Sequence, residues 1–147
     1  MLIVTSGHNN PVYLAVIVVL ASIGYVVWRN YRRRGQMVRG AGIAAAVDAV
    51  LQRLLAGEIG FVVLSVSPTV YVQFRTESNG AVLAEANCPA GNQAAETVLS
   101  TAGLTATKGP PNYRATFASA DAGRLAGLVR SYLGALGAGS LTIETGR

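Results

Sequence analysis

The chain has 147 residues, of which 51% are hydrophobic and only 13% are charged. The charged share is about half of the roughly 25% found in an average soluble domain, so the composition argues against a chain that is hydrated over its whole length. The net charge is +5, and five arginines ahead of the first acidic residue, Asp48, account for all of it. Because the remaining basic and acidic side chains are equal in number, we expect no nucleic-acid partner.

An uncharged apolar run extends from Pro11 to Trp28. As a helix with a rise of about 1.5 Å per residue, it would span roughly 27 Å, close to the hydrocarbon thickness of a bilayer. Apolar residues would lie on every side of this helix, which disfavours the alternative of a buried amphipathic core helix. The sequence therefore predicts a transmembrane helix over residues 11–28, with Tyr13, Tyr25 and Trp28 at the membrane interfaces.

Basic residues determine the predicted orientation. Residues 1–10 contain no Lys or Arg, whereas the basic juxtamembrane segment, residues 29–40, contains five arginines. An excess of positive charge marks the cytoplasmic side, and a cleaved signal peptide would carry this charge ahead of its apolar run. We therefore expect a single-pass protein of the plasma membrane, with residues 1–10 outside and residues 41–147 in the cytoplasm.

Two sets of side chains are predicted to contact the membrane or a helix within it. Trp28 and the five arginines are expected to fix the topology and to bind anionic lipid headgroups, at about 1 kcal/mol per basic residue near the surface. These arginines are Arg29, Arg32, Arg33, Arg34 and Arg39. Four small residues in the apolar run either pack against a partner's helix or simply face lipid. They are Ala15, Ala21, Ser22 and Gly24.

The cytoplasmic domain, residues 41–147, begins with a pattern that predicts a helix and three strands. Apolar residues at three- and four-residue spacing indicate an amphipathic helix, which Gly57 is expected to cap. The next strand is apolar on both faces, and the one after it alternates, with Tyr71, Gln73 and Arg75 on its polar face. Asn79 and Gly80 predict a hairpin turn, because both residue types tolerate positive φ. In order, the predicted elements are helix 41–57 and strands 60–67, 69–75 and 81–87.

The second half of the domain predicts a helix, two strands and a closing helix. Asn92 is the expected N-cap of the first helix, and Ser119 is the expected cap of the helix that begins at Asp121. The segment Ser140–Thr145 is compatible with either a short strand or an unpaired tail. The predicted elements are helix 92–102, strands 104–108 and 113–119 around a proline turn, and a helix from Asp121. The fold class is α+β: one N-terminal transmembrane helix followed by a cytoplasmic α-β-β-β-α-β-β-α domain with an antiparallel sheet.

This order of elements, together with several short patches, resembles the type III secretion chaperone-like and YbjN-like family, including its actinobacterial members. The patches are TVYVQF from Thr69, Glu85 within VLAEA, LSTAGL from Leu99, PPNY from Pro110, and the closing helix. The resemblance covers about residues 41–139, and the chain departs from the family at Leu104 and Thr105, where an aromatic residue is common. The resemblance implies a sheet-and-helix surface that binds another polypeptide, often in a homodimer.

Residue types offer little for catalysis. His8 is the only histidine and is predicted to lie outside, so a histidine relay or a multi-histidine metal site in the cytoplasmic domain is excluded. Cys88 is the only cysteine, so no intramolecular disulfide can form. It is either a thiol whose pKa the following helix lowers or a small loop residue. The sequence contains no phosphate-binding glycine loop with its lysine, and we expect no cofactor, no metal and no catalytic residue.

Three functional hypotheses remain. The first is a non-catalytic accessory subunit of a larger membrane complex, bound to integral membrane subunits through its helix and its cytoplasmic domain. Its overall plan resembles that of small subunits of the actinobacterial respiratory cytochrome c oxidase supercomplex, and a lipid-import transporter is an alternative host. The second is a membrane-tethered chaperone or adaptor for client proteins, and the third is an enzyme of unrecognised type. Tyr71, Gln73 and Arg75 form the predicted partner-binding surface.

Overall fold

The computed structural model describes residues 35–147. These residues form three helices and a seven-stranded sheet. In chain order the elements are β1 (Gln36–Arg39), α1 (Gly42–Leu55), β2 (Phe61–Ser67), β3 (Val70–Thr76), β4 (Val82–Asn87), α2 (Gln93–Thr101), β5 (Thr105–Ala106), β6 (Tyr113–Phe117), α3 (Ala122–Leu136) and β7 (Ser140–Gly146).

All neighbouring strands of the sheet are antiparallel, and their order is β1-β7-β2-β3-β4-β6-β5. The C-terminal strand β7 therefore lies inside the sheet, between β1 and β2. Residues Leu141 and Ile143 of β7 are buried, as the alternation of apolar and polar residues in this strand requires when one face is covered. The segment that could be either a strand or a tail is a strand that joins the two ends of the domain.

The fold prediction is wrong in its order of elements. The described chain follows β-α-β-β-β-α-β-β-α-β, and the prediction lacked β1 and did not place β7 in the sheet. Pairing between distant segments determines both strands, and local patterns do not report such pairing. Among residues 35–147, no helix is long and apolar enough to cross a membrane. The transmembrane helix predicted for Pro11–Trp28 lies outside the described residues.

Two helix caps differ from the sequence analysis, and one predicted turn is confirmed. Asp121, not Ser119, caps α3, because its carboxylate accepts a hydrogen bond from the backbone N–H of Arg124 at 2.7 Å. The helix α1 ends one residue before Ala56, its C-cap, and Gly57 follows with a φ of 74°. The predicted turn at Asn79 and Gly80 joins β3 and β4: Gly80 has a φ of 81°, and the side chain of Asn79 accepts a hydrogen bond from the backbone N–H of Ala81 at 3.0 Å.

Other sequence-based details of the elements are confirmed. The side chain of Asn92 accepts a hydrogen bond from the N–H of Ala95 and so caps α2. In β3, Val72 and Phe74 are buried on one face, and the intervening polar residues lie on the other. The second predicted strand pair is shorter than expected, because β5 has only two residues.

The three helices pack on one face of the sheet. α3 packs against both α1 and α2, and an ion pair of 3.3 Å joins Arg130 of α3 to Asp48 of α1. The buried helix residues form one cluster with alternate residues of the strands. Val63 and Leu83 stand at the intervening positions of β2 and β4, and neither belongs to this cluster. One face of the sheet is therefore core, and the other is not covered by the helices.

Tyr132 in α3 is the largest fully buried side chain of this core. Its hydroxyl donates a hydrogen bond to the carbonyl of Asn87 at the end of β4, at 3.1 Å. Burial raises the pKa of Tyr132 well above its ordinary value, and the neighbouring Cys88 raises it further. The phenol thus stays neutral and ties α3 to the sheet.

We expect Leu141→Ala to lower the free energy of unfolding by about 2–5 kcal/mol, because Leu141 is buried within the core and its truncation leaves a cavity. Thr145→Ala, at an exposed position of the same strand, should change the stability by less than about 0.5 kcal/mol. Thermal and urea unfolding of the full chain measure both. Equal, small effects at the two positions would mean that β7 is not an integral part of the sheet.

Tyr132→Phe should lower the stability by about 1 kcal/mol near neutral pH, because the hydrogen bond to Asn87 is lost. A phenol whose pKa is raised by folding contributes stability that is present below the unfolded pKa, about 10, and is lost as the pH rises through the folded value. The wild-type protein should therefore lose stability more steeply than Tyr132→Phe above about pH 10. Urea unfolding at a series of alkaline pH values measures this. If the free energies of unfolding of the two proteins fell with pH at the same rate, the assignment would be contradicted.

Candidate functional site: the open face of the sheet

The face of the sheet opposite the helices, called here the open face, is the candidate site. Strand registers place residues from at least four strands side by side on it. They are Phe61, Val63 and Ser65 of β2, Tyr71, Gln73 and Arg75 of β3, Leu83, Glu85 and Asn87 of β4, and Arg114 and Thr116 of β6. This arrangement follows from the period of two in each strand, since every second residue is drawn into the core on the other face.

A hydrogen-bonded polar cluster lies across β3, β4 and β6. Gln73, Glu85 and Arg114 are cross-strand neighbours in register. The amide of Gln73 donates to one carboxylate oxygen of Glu85, and the guanidinium of Arg114 donates to the other. Both oxygens of the carboxylate are thus bonded, as a carboxylate that is only 8% exposed requires.

Burial of Glu85 makes this cluster different from the other ion pairs of the domain. Glu85 is the one charged residue among the buried side chains of residues 35–147. By contrast, the pairs Arg53–Glu58 and Arg75–Glu77 are exposed on both partners. Exposed pairs contribute little, whereas a charge held away from water is costly once its partner is removed. The cluster therefore holds β3, β4 and β6 together on this face. It also fixes the orientation of the Glu85 carboxylate and the Arg114 guanidinium.

Tyr71 stands next to the polar cluster, half-buried. Burial is the larger cause that raises the pKa of Tyr71, and the negative charge of Glu85 raises it further. The phenol is therefore a neutral hydrogen-bond donor at physiological pH, beside a fixed carboxylate. A ring with an apolar body and a polar tip is the kind of side chain that is enriched at protein interfaces.

Apolar side chains of β1, β2 and β4 also lie on the open face. Phe61 is 36% exposed, and its ring occupies the space above Gly146 of β7 where a side chain would otherwise stand. Val63 follows on the same face of β2, and Leu83 of β4 lies across Arg75 from the ring; both are partly exposed. Met37, on the edge strand β1, is 60% exposed. Apolar and aromatic side chains beside hydrogen-bonded charges are typical of a surface that binds another polypeptide.

The structure brings together the three residues predicted as the partner-binding surface. Tyr71, Gln73 and Arg75 project from the open face in adjacent positions of β3. Arg75 forms an ion pair of 3.2 Å with Glu77 in the following turn. Whether a partner binds them stays a prediction.

Of the residues predicted to contact lipid, only Arg39 is described. It is exposed at the end of β1, and its guanidinium lies 3.4 Å from the sulfur of Met37. The other residues predicted to contact lipid or a partner's helix lie outside the described residues. They are Trp28, Arg29, Arg32, Arg33, Arg34, Ala15, Ala21, Ser22 and Gly24.

Sequence reasoning missed the polar cluster as a unit. Glu85 enters only through the family resemblance, and Arg114 is not singled out at all. The signal that could have found them is a charged residue at an outward position of each strand, Glu85 between two buried alanines and Arg114 between Tyr113 and Ala115. Their partnership depends on the register of β4 with β6, which a single sequence does not contain.

Cys88 lies at the end of β4 and is buried. Burial raises the pKa of its thiol, and Glu96 raises it further, although a hydrogen bond with Tyr132 acts in the opposite direction. Of the two interpretations of this cysteine, the structure supports the small buried residue rather than an activated thiolate. Within residues 35–147, no three acidic, histidine or cysteine side chains are close enough to hold a metal ion.

Asn112 extends the pairing of β4 and β6 beyond the last ladder residues. Its side-chain amide donates to the carbonyl of Cys88 at 2.9 Å and accepts from the N–H of Cys88 at 2.8 Å. The amide thus reproduces the pair of hydrogen bonds that a strand residue would make. The loop that follows β4 is held in place, and with it the edge of the open face.

Comparisons with known proteins give no relative from which to transfer a function. No protein-family model, no curated protein and no solved structure matches this chain.

A double-mutant cycle of Glu85→Ala and Arg114→Ala should give a coupling energy of about 1 kcal/mol or more, because the carboxylate is buried and bonded by the guanidinium. The same cycle on Arg53 and Glu58, whose side chains are both more than half exposed, serves as the control. We expect about 0.5 kcal/mol or less there. Equal coupling energies from chemical denaturation would show that the Glu85–Arg114 pair behaves as an ordinary surface pair.

Proposed function

We propose that this protein is a non-catalytic accessory subunit of a larger bacterial membrane protein complex, and that the open face binds a polypeptide of that complex. The observation that carries the proposal is the uncovered face of a sheet whose other face is packed against all three described helices. This face combines aromatic and aliphatic side chains with charged side chains that hydrogen bonds hold in place. Such a surface can bind one defined polypeptide surface.

The physical argument for a polypeptide partner starts from the composition of the open face. Antiparallel sheets commonly leave one face to water, and that face is then mostly polar. Here four side chains add apolar surface, and removing this surface from water is favourable. They are Phe61, Val63, Tyr71 and Leu83. Arginine and aromatic residues are also the types that supply most of the binding energy at protein interfaces.

The orientation of the polar cluster favours a fixed partner over varied clients. Glu85 is already bonded by Gln73 and Arg114, so its charge does not need to reorganise when a partner binds. A preorganised surface loses less entropy on association and selects partners by charge complementarity. Chaperones and other promiscuous binders commonly use flexible surfaces instead.

Association with a membrane is proposed from the sequence ahead of Gly35. An uncharged apolar run from Pro11 to Trp28 is followed by a cluster of arginines, a combination typical of proteins held at the cytoplasmic side of the plasma membrane. Anionic headgroups and integral membrane subunits would then lie close to residues 35–147. The respiratory cytochrome c oxidase supercomplex is our first candidate host, and a lipid-import transporter is the second.

We expect Tyr71→Ala combined with Arg75→Glu to lower the recovery of partner subunits by about tenfold or more, because two interface side chains are lost and one charge is reversed. The tagged full chain would be purified from its native membrane in mild detergent, and subunits quantified by mass spectrometry and haem absorption. The wild type should retain oxidase subunits in a fixed ratio with a haem signal.

The matched control is Gln52→Ala combined with Arg53→Glu, at exposed positions of α1 on the helix side of the sheet. Its recovery of partners should equal that of the wild type. A haem-free set of transporter subunits would move the proposal to that host. Many soluble clients in substoichiometric amounts would replace it with a membrane-tethered chaperone or adaptor, and equal recovery from both double variants would reject the open face as the docking surface.

A further inference from the structure

A groove between α2 and α3 lies on the helix side of the sheet, away from the open face. It has a volume of about 380 Å³, within the range of small-molecule sites, roughly 300–1,000 Å³. Its apolar lining is contributed by Val98 and Ala102 of α2, Leu125 and Leu128 of α3, and Phe117 of β6. The part along α3 runs from Arg124 to Ser131, about 10 Å at the rise of a helix.

The positively charged side chain of Arg124 lies at the end of this groove that is closest to β6. The guanidinium of Arg124 lies over the ring of Phe117, 4.7 Å from its centroid. Within residues 35–147, no carboxylate forms an ion pair with this arginine. The guanidinium is always protonated and carries five N–H donors in one plane. A carboxylate can accept two parallel hydrogen bonds from it. The groove therefore places beside its apolar walls a guanidinium that has no ion-pair partner within residues 35–147, and no acidic residue lines it; the nearby carboxylate of Asp121 bonds the backbone N–H of Arg124.

Gly127, which has no side chain, lines the groove on its α3 side. Gly127 lies in the interior of α3, where glycine is less favourable than alanine by about 1 kcal/mol. A Cβ built at Gly127 would meet no atom within 4 Å, so space rather than crowding surrounds it. A side chain could therefore stand at this position without strain, and it would project into the groove.

We propose that the α2–α3 groove binds a single-chain amphiphile with a carboxylate head, such as a medium-chain fatty acid, through Arg124. The carboxylate would take the two parallel donors of the guanidinium, and the alkyl chain would lie along Leu128 between the helices. Besides Arg124, the polar side chains of the lining are the hydroxyls of Thr97, Thr101 and Ser131, and that of Thr97 already donates to the carbonyl of Gln93 at 2.7 Å. A peptide chain would leave most of its amide groups unpaired there, whereas an alkyl chain has none to pair.

Photolabelling of the full chain with a decanoate analogue that carries a diazirine on its alkyl chain tests the proposal. Mass spectrometry of the digested protein should find the label in peptides from α2 and α3, and added decanoate should compete with the probe. Decanol, which lacks the charge, should compete at least about tenfold more weakly, because it loses the charge-assisted pair with Arg124.

Two variants and their controls make the result decisive. Gly127→Leu should abolish labelling of the groove, because its side chain fills the space, while Gly134→Leu places the same side chain at another open position of α3 and should not change it. Arg124→Gln should weaken labelling about tenfold, and Arg124→Lys should restore part of it. Thermal unfolding of each variant establishes that it is folded.

The proposal is overturned if the label is spread over the chain, if Gly127→Leu labels as well as Gly134→Leu, or if decanol competes as well as decanoate. The last result would mean that Arg124 merely covers Phe117. None of these outcomes bears on the open face, which lies on the other side of the sheet.

Discussion

The pairing of β7 with both β1 and β2 is the constraint on which the rest of the domain depends. β7 is the last element of the chain, yet it fills the gap between the strand that starts the domain and the strand that follows α1. Without it, β1 would have no neighbour within the described sheet, and the inner edge of β2 would be open. Closing such long-range pairs costs chain entropy before they contribute contacts, so the sheet is the entropically costly part of this fold.

Once this sheet is assembled, one face has to be covered and the other can stay open. Leu141 and Ile143 join the core that α1 and α3 also line, while the intervening positions of the strands turn away from it. The registers of β3, β4 and β6 then set Gln73, Glu85 and Arg114 side by side. The candidate docking surface is thus a consequence of topology, because no two of these three residues are neighbours in the chain.

Local patterns predicted the elements that depend on local chemistry. The spacing of apolar residues located α1 and α3, and the capping residue Asn92 located α2. The alternation of Val72 and Phe74 with polar residues located β3 and its outward face. The same patterns failed where distant segments decide the structure. β1 has four residues and only one partly buried side chain, Val38, so its short apolar signal is not distinct from a linker. The choice between strand and tail for β7, and the partnership of Glu85 with Arg114, depended on pairings that the local sequence does not express.

The central claim is that the open face, and not the helix side, meets a polypeptide partner. Site-specific photo-crosslinking in native membranes tests it most directly, with a benzophenone amino acid at position 71 or 63 on the open face and at position 49 or 52 on the exposed side of α1. We expect crosslinks to one integral membrane protein from the first pair of positions and none from the second. Crosslinks to that protein from α1 alone, or equally from both sides, would show that the open face is not the docking surface.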